Sequence, residues 1–379
     1  MKLPVYLDHA ATTPVADEVL AAMVPFMAQA PWNASALYAG GAIARDAVEK
    51  AREEVAALIG AAADEIYFTA GGTEADNWAL KGLMPLVSDG RPHALVSSVE
   101  HSAVLESAEA LGRQGWEIER LPVDSRGLVE PESVDKRITE RTRIVSVMAG
   151  NNEVGVVQDL RSISDCCRKR GALFHTDAVQ AAAGLVLDVN ELGVDLLSLS
   201  SHKIYGPKGI GALFIRRGVA NRRWMDGGRQ EKGMRAGTTN VPAVVGFGAA
   251  CRIQRDMVAE EGRRLMSLRD DFVGKVLERI PDARYTATTA PCMPHYAHFC
   301  FKGVEGHPIL IGLDAAGVYA SGGAACSAGS VETSHVLRAM AVSDDWARGA
   351  VRFTLGRATT GEELDYAVSV LDEVVHDLR

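Results

Sequence analysis

Between residues 65 and 215 the sequence alternates short β-rich runs with longer helical patterns, and no other feature restricts the fold as strongly. Strands are expected at 65–69, 94–98, 117–121, 143–148, 173–176, 196–200 and 211–215. Runs such as IVSVM and LLSLS are continuously apolar, as in strands covered on both faces. Helices are expected at 73–86, 102–114 and 160–170, and a charged amphipathic helix at 42–58, stopped by Gly60, precedes them. This alternation implies an α/β domain built on a mainly parallel sheet, seven strands by this count. After Gly246 the pattern changes: a long helical segment at about 244–280 leads through a Pro-containing stretch to two or three strands and two helices. The last helix is expected at 360–378, completing a smaller α+β domain. The expected division is 16–250 for the large domain, and 1–15 with 251–379 for the small one.

Composition narrows the function classes. With 47% hydrophobic and 23% charged residues the chain is globular, which removes disordered and fibrous architectures. A formal charge of -9 without a cationic block is a poor match to a phosphate backbone, so no nucleic-acid partner is expected. The start MKLPVYLDHAATTP has no apolar signal region, and no run reaches the roughly 18 to 20 apolar residues of a membrane span. Six cysteines without a CxxC spacing argue against a disulfide scaffold and against a metal site of the protein's own. The expectation is a reduced, cytoplasmic protein.

The unusual clusters fall at the expected strand ends, where open α/β sheets bind ligands. Thr69-Ala70-Gly71-Gly72-Thr73-Glu74 ends a strand and opens a helix; its free amides and the Thr73 hydroxyl read as an anion cradle or as a tight capped turn. Ser200-Ser201-His202-Lys203 precedes the glycine turn Gly206-Pro207-Lys208-Gly209. A lysine directly after a buried strand can form a Schiff base with an aldehyde, or be an ordinary loop lysine; Lys208 reads as solvated. Asp177, with Gln180, suits the protonated nitrogen of a pyridine ring and equally suits a helix cap. Glu100-His101 also follows a strand, where the histidine reads as a catalyst or as a structural hydrogen-bonder; Asn151-Asn152-Glu153 follows IVSVM, and turn chemistry explains it as well. Cys326 lies in the run ASGGAACSAGS, where no bulky neighbour buries it, as a reactive thiol requires. Cys166, Cys167, Cys251, Cys292 and Cys300 lie in or beside apolar elements and read as inert. GPKGIG at 206–211 opens a strand instead of a helix, so it is no dinucleotide fingerprint.

On these residues the sequence resembles the class V, fold-type I pyridoxal-phosphate enzymes, and among them the cysteine desulfurases of the NifS/IscS type. The resemblance runs almost end to end, through YLDHAATTP (6–14), TAGGTEADN (69–77), VEHSAV (99–104), NNEVGVVQ (151–158), HTDAVQ (175–180), SSHKIYGPKGIGAL (200–213), GMRAGTTN (233–240), the Cys326 loop and VRFTLGR (351–357). It implies pyridoxal 5'-phosphate bound through Lys203, with Thr73, Ser200, His202 and the Gly72 amide at the phosphate. It places Asp177 at the pyridine nitrogen, Gln180 at the ring hydroxyl, and His101 on the ring face with a part in proton transfer. Thr238 would reach the phosphate of the other subunit of a homodimer. Asn152, also near the cofactor, and Arg352 would hold the substrate carboxylate, Arg352 bidentately.

The implied reaction converts L-cysteine to L-alanine. Lys203 or His101 removes the α-proton, and Cys326 takes the sulfur as a persulfide for a sulfur-acceptor or scaffold protein of iron–sulfur cluster assembly. No metal of the protein's own is implied, Cys326 serving at most as a transient cluster ligand. Alternatives on the same fold are a selenocysteine lyase, another class V lyase or aminotransferase, and a silent ligand-binding member. The sequence departs from the family at Asn33-Ala34-Ser35-Ala36-Leu37-Tyr38, where a Pro and a His are usual, and in the wording of the cysteine loop. It ends at Arg379 without the scaffold-docking tail of housekeeping members.

Overall fold

The computed structural model describes residues 4–83, 91–322 and 333–379; Cys326 lies outside them. Strand β1 (Val5–Tyr6) and helices α1 (Asp17–Val24) and α2 (Ala39–Leu58) lead into the central sheet. Its strands are β2 (Ile66–Thr69), β3 (His93–Ser97), β4 (Glu117–Leu121), β5 (Thr142–Ser146), β6 (Leu173–Asp177), β7 (Leu196–Ser200) and β8 (Gly211–Ile215). They form the expected seven-stranded sheet in the order β2-β8-β7-β6-β5-β3-β4. Only β8 runs against its two neighbours; the other pairings are parallel. Helices α3 (Gly72–Lys81), α4 (Ser102–Arg113), α5 (Pro131–Arg137), α6 (Leu160–Arg170) and α7 (Val189–Leu192) connect the strands.

Both faces of the sheet are covered along strands such as β3, β7 and β8, which are buried throughout, whereas the edge strand β4 (EIERL) keeps a polar alternation. One face packs Val145, Phe174, Leu197 and Phe214 with residues of α2 and α6, among them Val55 and Ile163. The other packs Val96, Ile144, Leu196 and Leu213 against Trp78 of α3 and Leu111 of α4. Local chemistry sets the helix ends. The Asp159 side chain accepts the Ser162 amide at 3.1 Å to start α6, and Gly171 at φ 73° ends it. Helix α3 stops at Lys81, short of the expected 86: Gly82 donates back to the Trp78 carbonyl at 2.8 Å, and Leu83 then bridges to Asn221.

Helix α8 (Val241–Arg279) spans 39 residues and enters two cores. Its Val244, Phe247 and Ala250 belong to the sheet core. Its Leu265, Phe272 and Val276 belong to a second core with Val5 and Leu7. That core includes residues of β10 (Tyr296–Phe301), β12 (Ala350–Thr354), α9 (Gly306–Ala315) and α12 (Gly361–Asp377). Strand β9 (Ala283–Tyr285) extends the β10–β12 sheet, and β11 (Val318–Tyr319) pairs in parallel with β1. Short helices α10 (His335–Ala339) and α11 (Asp344–Ala347) complete this part. Among the described residues, no helix is long and apolar enough to cross a membrane.

Candidate active site

Loops from the carboxyl ends of four parallel strands and from β2 meet in one cavity of about 480 Å³, lined by Gly72, Thr73, His101, Asn152, Asp177, Gln180, Ser200, His202, Lys203 and Arg352 among others. A second, more open space of about 870 Å³ shares Gly72, Thr73, Ser200 and His202 and adds Lys208 and Trp224. The tertiary structure thus brings together every residue to which the resemblance gives a role except Thr238, which is exposed and lines neither space, and Cys326, which lies outside the described residues; Glu100 and Asn151 line neither space, and Lys208 lines only the outer one.

At one end, the α3 N-terminus opens toward Ser200 and His202. A Cβ on Gly72 would lie 2.6 Å from Val179 Cγ2, so only glycine lets this turn close on the strand beside it. Gly211 is bound similarly: a Cβ there would meet the Leu199 carbonyl at 2.5 Å and the backbone of Gly71 at 2.7 Å. His202 Nδ1 lies 3.2 Å from the Thr12 hydroxyl, and burial, with Lys203 and Lys208 adding to it, lowers its pKa to about 4. Its ring is therefore neutral near pH 7. Lys203 sits in a single 3₁₀ turn, Ser201–Lys203, and its Nζ donates to the carbonyls of Ala10 at 2.6 Å and Ala11 at 2.8 Å.

At the floor, Asp177 Oδ1 accepts the Val179 amide at 2.9 Å. This is an Asx turn rather than the expected helix cap, since Gln180 holds the N-cap position of the 3₁₀ turn Ala181–Ala183 that follows. Burial pushes its pKa above the ordinary carboxylate range, opposed by His101, the Val179 amide and Lys203. Gln180 Nε2 donates to Ala10 O at 2.9 Å, while its buried Oε1 has no partner among the described residues. Asp76, from α3, lines the same cavity, and burial followed by repulsion from Asp177 raises its pKa well above the ordinary carboxylate range.

His101 caps α4: the Ala103 amide donates to its Nδ1 at 3.1 Å. That bond leaves the proton of the neutral ring on Nε2. Beneath it, Glu100 Oε1 accepts from the Ser97 hydroxyl at 2.6 Å and the Met148 amide at 2.7 Å, tying the β3 and β5 ends together. Burial raises the Glu100 pKa to about 8. On the opposite wall, Arg352 of β12 donates from Nη1 to Asn152 O at 2.6 Å and from Nη2 to Asp8 Oδ1 at 2.8 Å. Glu153 and His335 also line the cavity. Glu153 Oε2 accepts the Ser334 hydroxyl at 2.7 Å, and burial raises its pKa to about 7.

Sequence reasoning passes over Asp8, Asp76 and His335, and leaves Glu153 open between a site cluster and turn chemistry. The signals were present in LDHAATTP, TEADN and SHVL, but none distinguishes a site residue from a cap until the chain is folded. Among the described residues no cluster of His, Cys, Asp or Glu is arranged to hold a metal ion.

Pyridoxal phosphate fits this donor set. Gly72 leaves a cradle that a Cβ would fill, Gln180 Oε1 is a buried acceptor awaiting a hydroxyl, and Asp177 is a buried carboxyl suited to a cationic ring nitrogen.

Comparison with known proteins agrees. Cysteine desulfurase IscS of Dictyoglomus turgidum is 44% identical over 379 residues, covering all of this chain and 96% of the relative. That of Methanosarcina thermophila is 42% identical over 375 residues, covering 99% and 93%. A solved NifS-like protein superposes with a TM-score of 0.93 at 35% identity, covering 99% of this chain and 100% of the other. The structure of SspA in complex with cysteine superposes with a TM-score of 0.82 at 32% identity, covering 93% and 98%. The aminotransferase class-V family matches residues 5–367, from the first strand into the last helix. Nearly the whole chain, with the cavity at its centre, therefore belongs to the aminotransferase class-V family.

Proposed function

We propose that this protein is a cysteine desulfurase, converting L-cysteine to L-alanine and passing the sulfur on. The observation that carries the reading is a single cavity lined by Lys203, the buried Asp177 and Arg352. Those are the groups needed to fix a pyridoxal aldehyde, balance its ring nitrogen and hold an amino-acid carboxylate. Its cofactor, pyridoxal 5'-phosphate, supplies a ring that takes up the electron pair left when a bond at Cα breaks.

The residues then divide the work. The α3 N-terminus, with Gly72, Thr73, Ser200 and His202, binds the phosphate through amides and hydroxyls. Asp177 balances the ring nitrogen, and Gln180 Oε1 accepts from the ring hydroxyl. Arg352 and Asn152 orient the substrate carboxylate. Lys203 Nζ would hold the cofactor aldehyde and would take the α-proton of the substrate. His101 presents Nε2–H instead of a lone pair, because its Nδ1 is used by Ala103, and so acts as the donor. Cys326, as thiolate, attacks the substrate sulfur; the S–S bond forms as the C–S bond breaks, leaving a persulfide on the enzyme.

Thr238, exposed and away from the cavity of its own chain, suits a contact to the phosphate of a second copy in a symmetric dimer. The sulfur acceptor is a scaffold or carrier protein of iron–sulfur cluster assembly, and the setting is cytoplasmic. Incubation with cysteine and a reductant should release alanine and sulfide in equal amounts. Sulfide without alanine, or neither product, would overturn the reading.

A further inference from the structure

The segment from Asp8 to Ala11 touches three of the cavity's polar side chains. The carbonyls of Ala10 and Ala11 receive Lys203, and Ala10 O also receives Gln180. Asp8 holds Arg352, whose side chain is 3% exposed, while that of Asp8 is 19% exposed. Asp8 is not among the residues lining the cavity, so it grips the guanidinium from the side away from the ligand space.

Its own placement is rigid. The Asp8 carbonyl accepts the Tyr6 hydroxyl at 3.0 Å and the Ala11 amide at 3.0 Å. Asp8 is bridged in parallel to Thr354, two residues beyond Arg352, and the Thr354 amide donates to Leu7 O at 2.7 Å. Both ends of the ion pair therefore hang on paired backbone. The planar fork of a guanidinium presents several N–H groups and matches the geometry of a carboxylate.

We propose that Asp8 is a positioning residue for substrate selection: it holds Arg352 from behind, so that the guanidinium meets the carboxylate of an incoming amino acid already oriented. This rests on the reading of the cavity as a cysteine-binding centre. An arginine fixed before binding loses little rotamer freedom when its ligand arrives, and this gain accrues only to ligands that carry the carboxylate.

The test compares ligands on the cofactor-loaded protein, by the change each causes in its visible absorption. Asp8→Ala should weaken the response to L-cysteine and L-alanine by about tenfold. It should leave cysteamine, which has the same amine and thiol but no carboxylate, unchanged. Asp8→Asn keeps an acceptor without the charge. It should show the same selectivity with a smaller loss, about threefold, and carries the comparison if Asp8→Ala does not fold. Equal losses for cysteine and cysteamine, or none for either, would overturn the inference while the cysteine reading stands. A wild-type protein that responds to cysteamine but not to cysteine would overturn both.

Discussion

Replacing Glu153 by Gln should flatten part of the protein's stability profile against pH. The carboxyl is 1% exposed; one oxygen accepts the Ser334 hydroxyl at 2.7 Å, and the other has no partner among the described residues. Burial raises its pKa from 4.5 to about 7, the Ser334 bond and Arg352 opposing the rise. The unfolded chain loses this proton near pH 4.5 and the folded chain near 7. Between those values the folded state binds more protons, so stability falls as pH rises; below and above that window this group adds no slope. At roughly 1.4 kcal/mol per decade the whole window is worth about 3 kcal/mol. Gln is neutral and close in shape, so the variant should be insensitive to this titration. Denaturant unfolding of the cofactor-free protein, wild type and variant, from pH 5 to 8 gives the measurement. The variant should gain on the wild type by about 2.5 kcal/mol across that range. The difference isolates Glu153 from Glu100 and Asp76, which titrate in both proteins. A flat difference would mean that Glu153 is ionised in the folded state throughout, and would refute the argument.

Other substitutions probe the cofactor end of the cavity and the proposed dimer. Gly72→Ala puts a methyl 2.6 Å from Val179 Cγ2 and should weaken cofactor retention, overpacking of this kind costing about 1 to 3 kcal/mol; Val179→Ala in the same chain should restore it, read by cofactor titration. Asp177→Asn removes the carboxylate facing a cationic ring nitrogen and should cost roughly two to three decades in cofactor affinity, measured by absorption after dialysis. Thr238→Ala should lose one hydrogen bond to a phosphate, about one to two decades in cofactor affinity. Mixed dimers of Thr238→Ala and Lys203→Ala subunits should differ in activity from dimers carrying both changes in one subunit; equal activities would remove the shared site.

The periodicity of the sequence was enough for the seven strands of the central sheet, with β4, β7 and β8 at the expected bounds. Continuous apolar runs between turn residues leave a buried strand few alternatives. Helix α1 was not legible: DEVLAAMV is short, its Leu20 and Val24 stay exposed, and only packing against α8 fixes it. The residue types at the strand ends were also legible, because glycines before a helix and a lysine after a buried strand are unusual enough to stand out. Their meeting was not. Arg352 lies 200 residues from Asn152 and 344 from Asp8, yet bonds both; Lys203 reaches back 193 residues to Ala10. No local pattern encodes such contacts, since they arise only when α8 carries the chain to a second core and β12 lies against the N-terminal segment. Burial was decided at the same level. Asp76, Glu100 and Glu153 look like surface acids in the sequence. In the folded chain each is buried, and loss of hydration is the first cause of their raised pKa values.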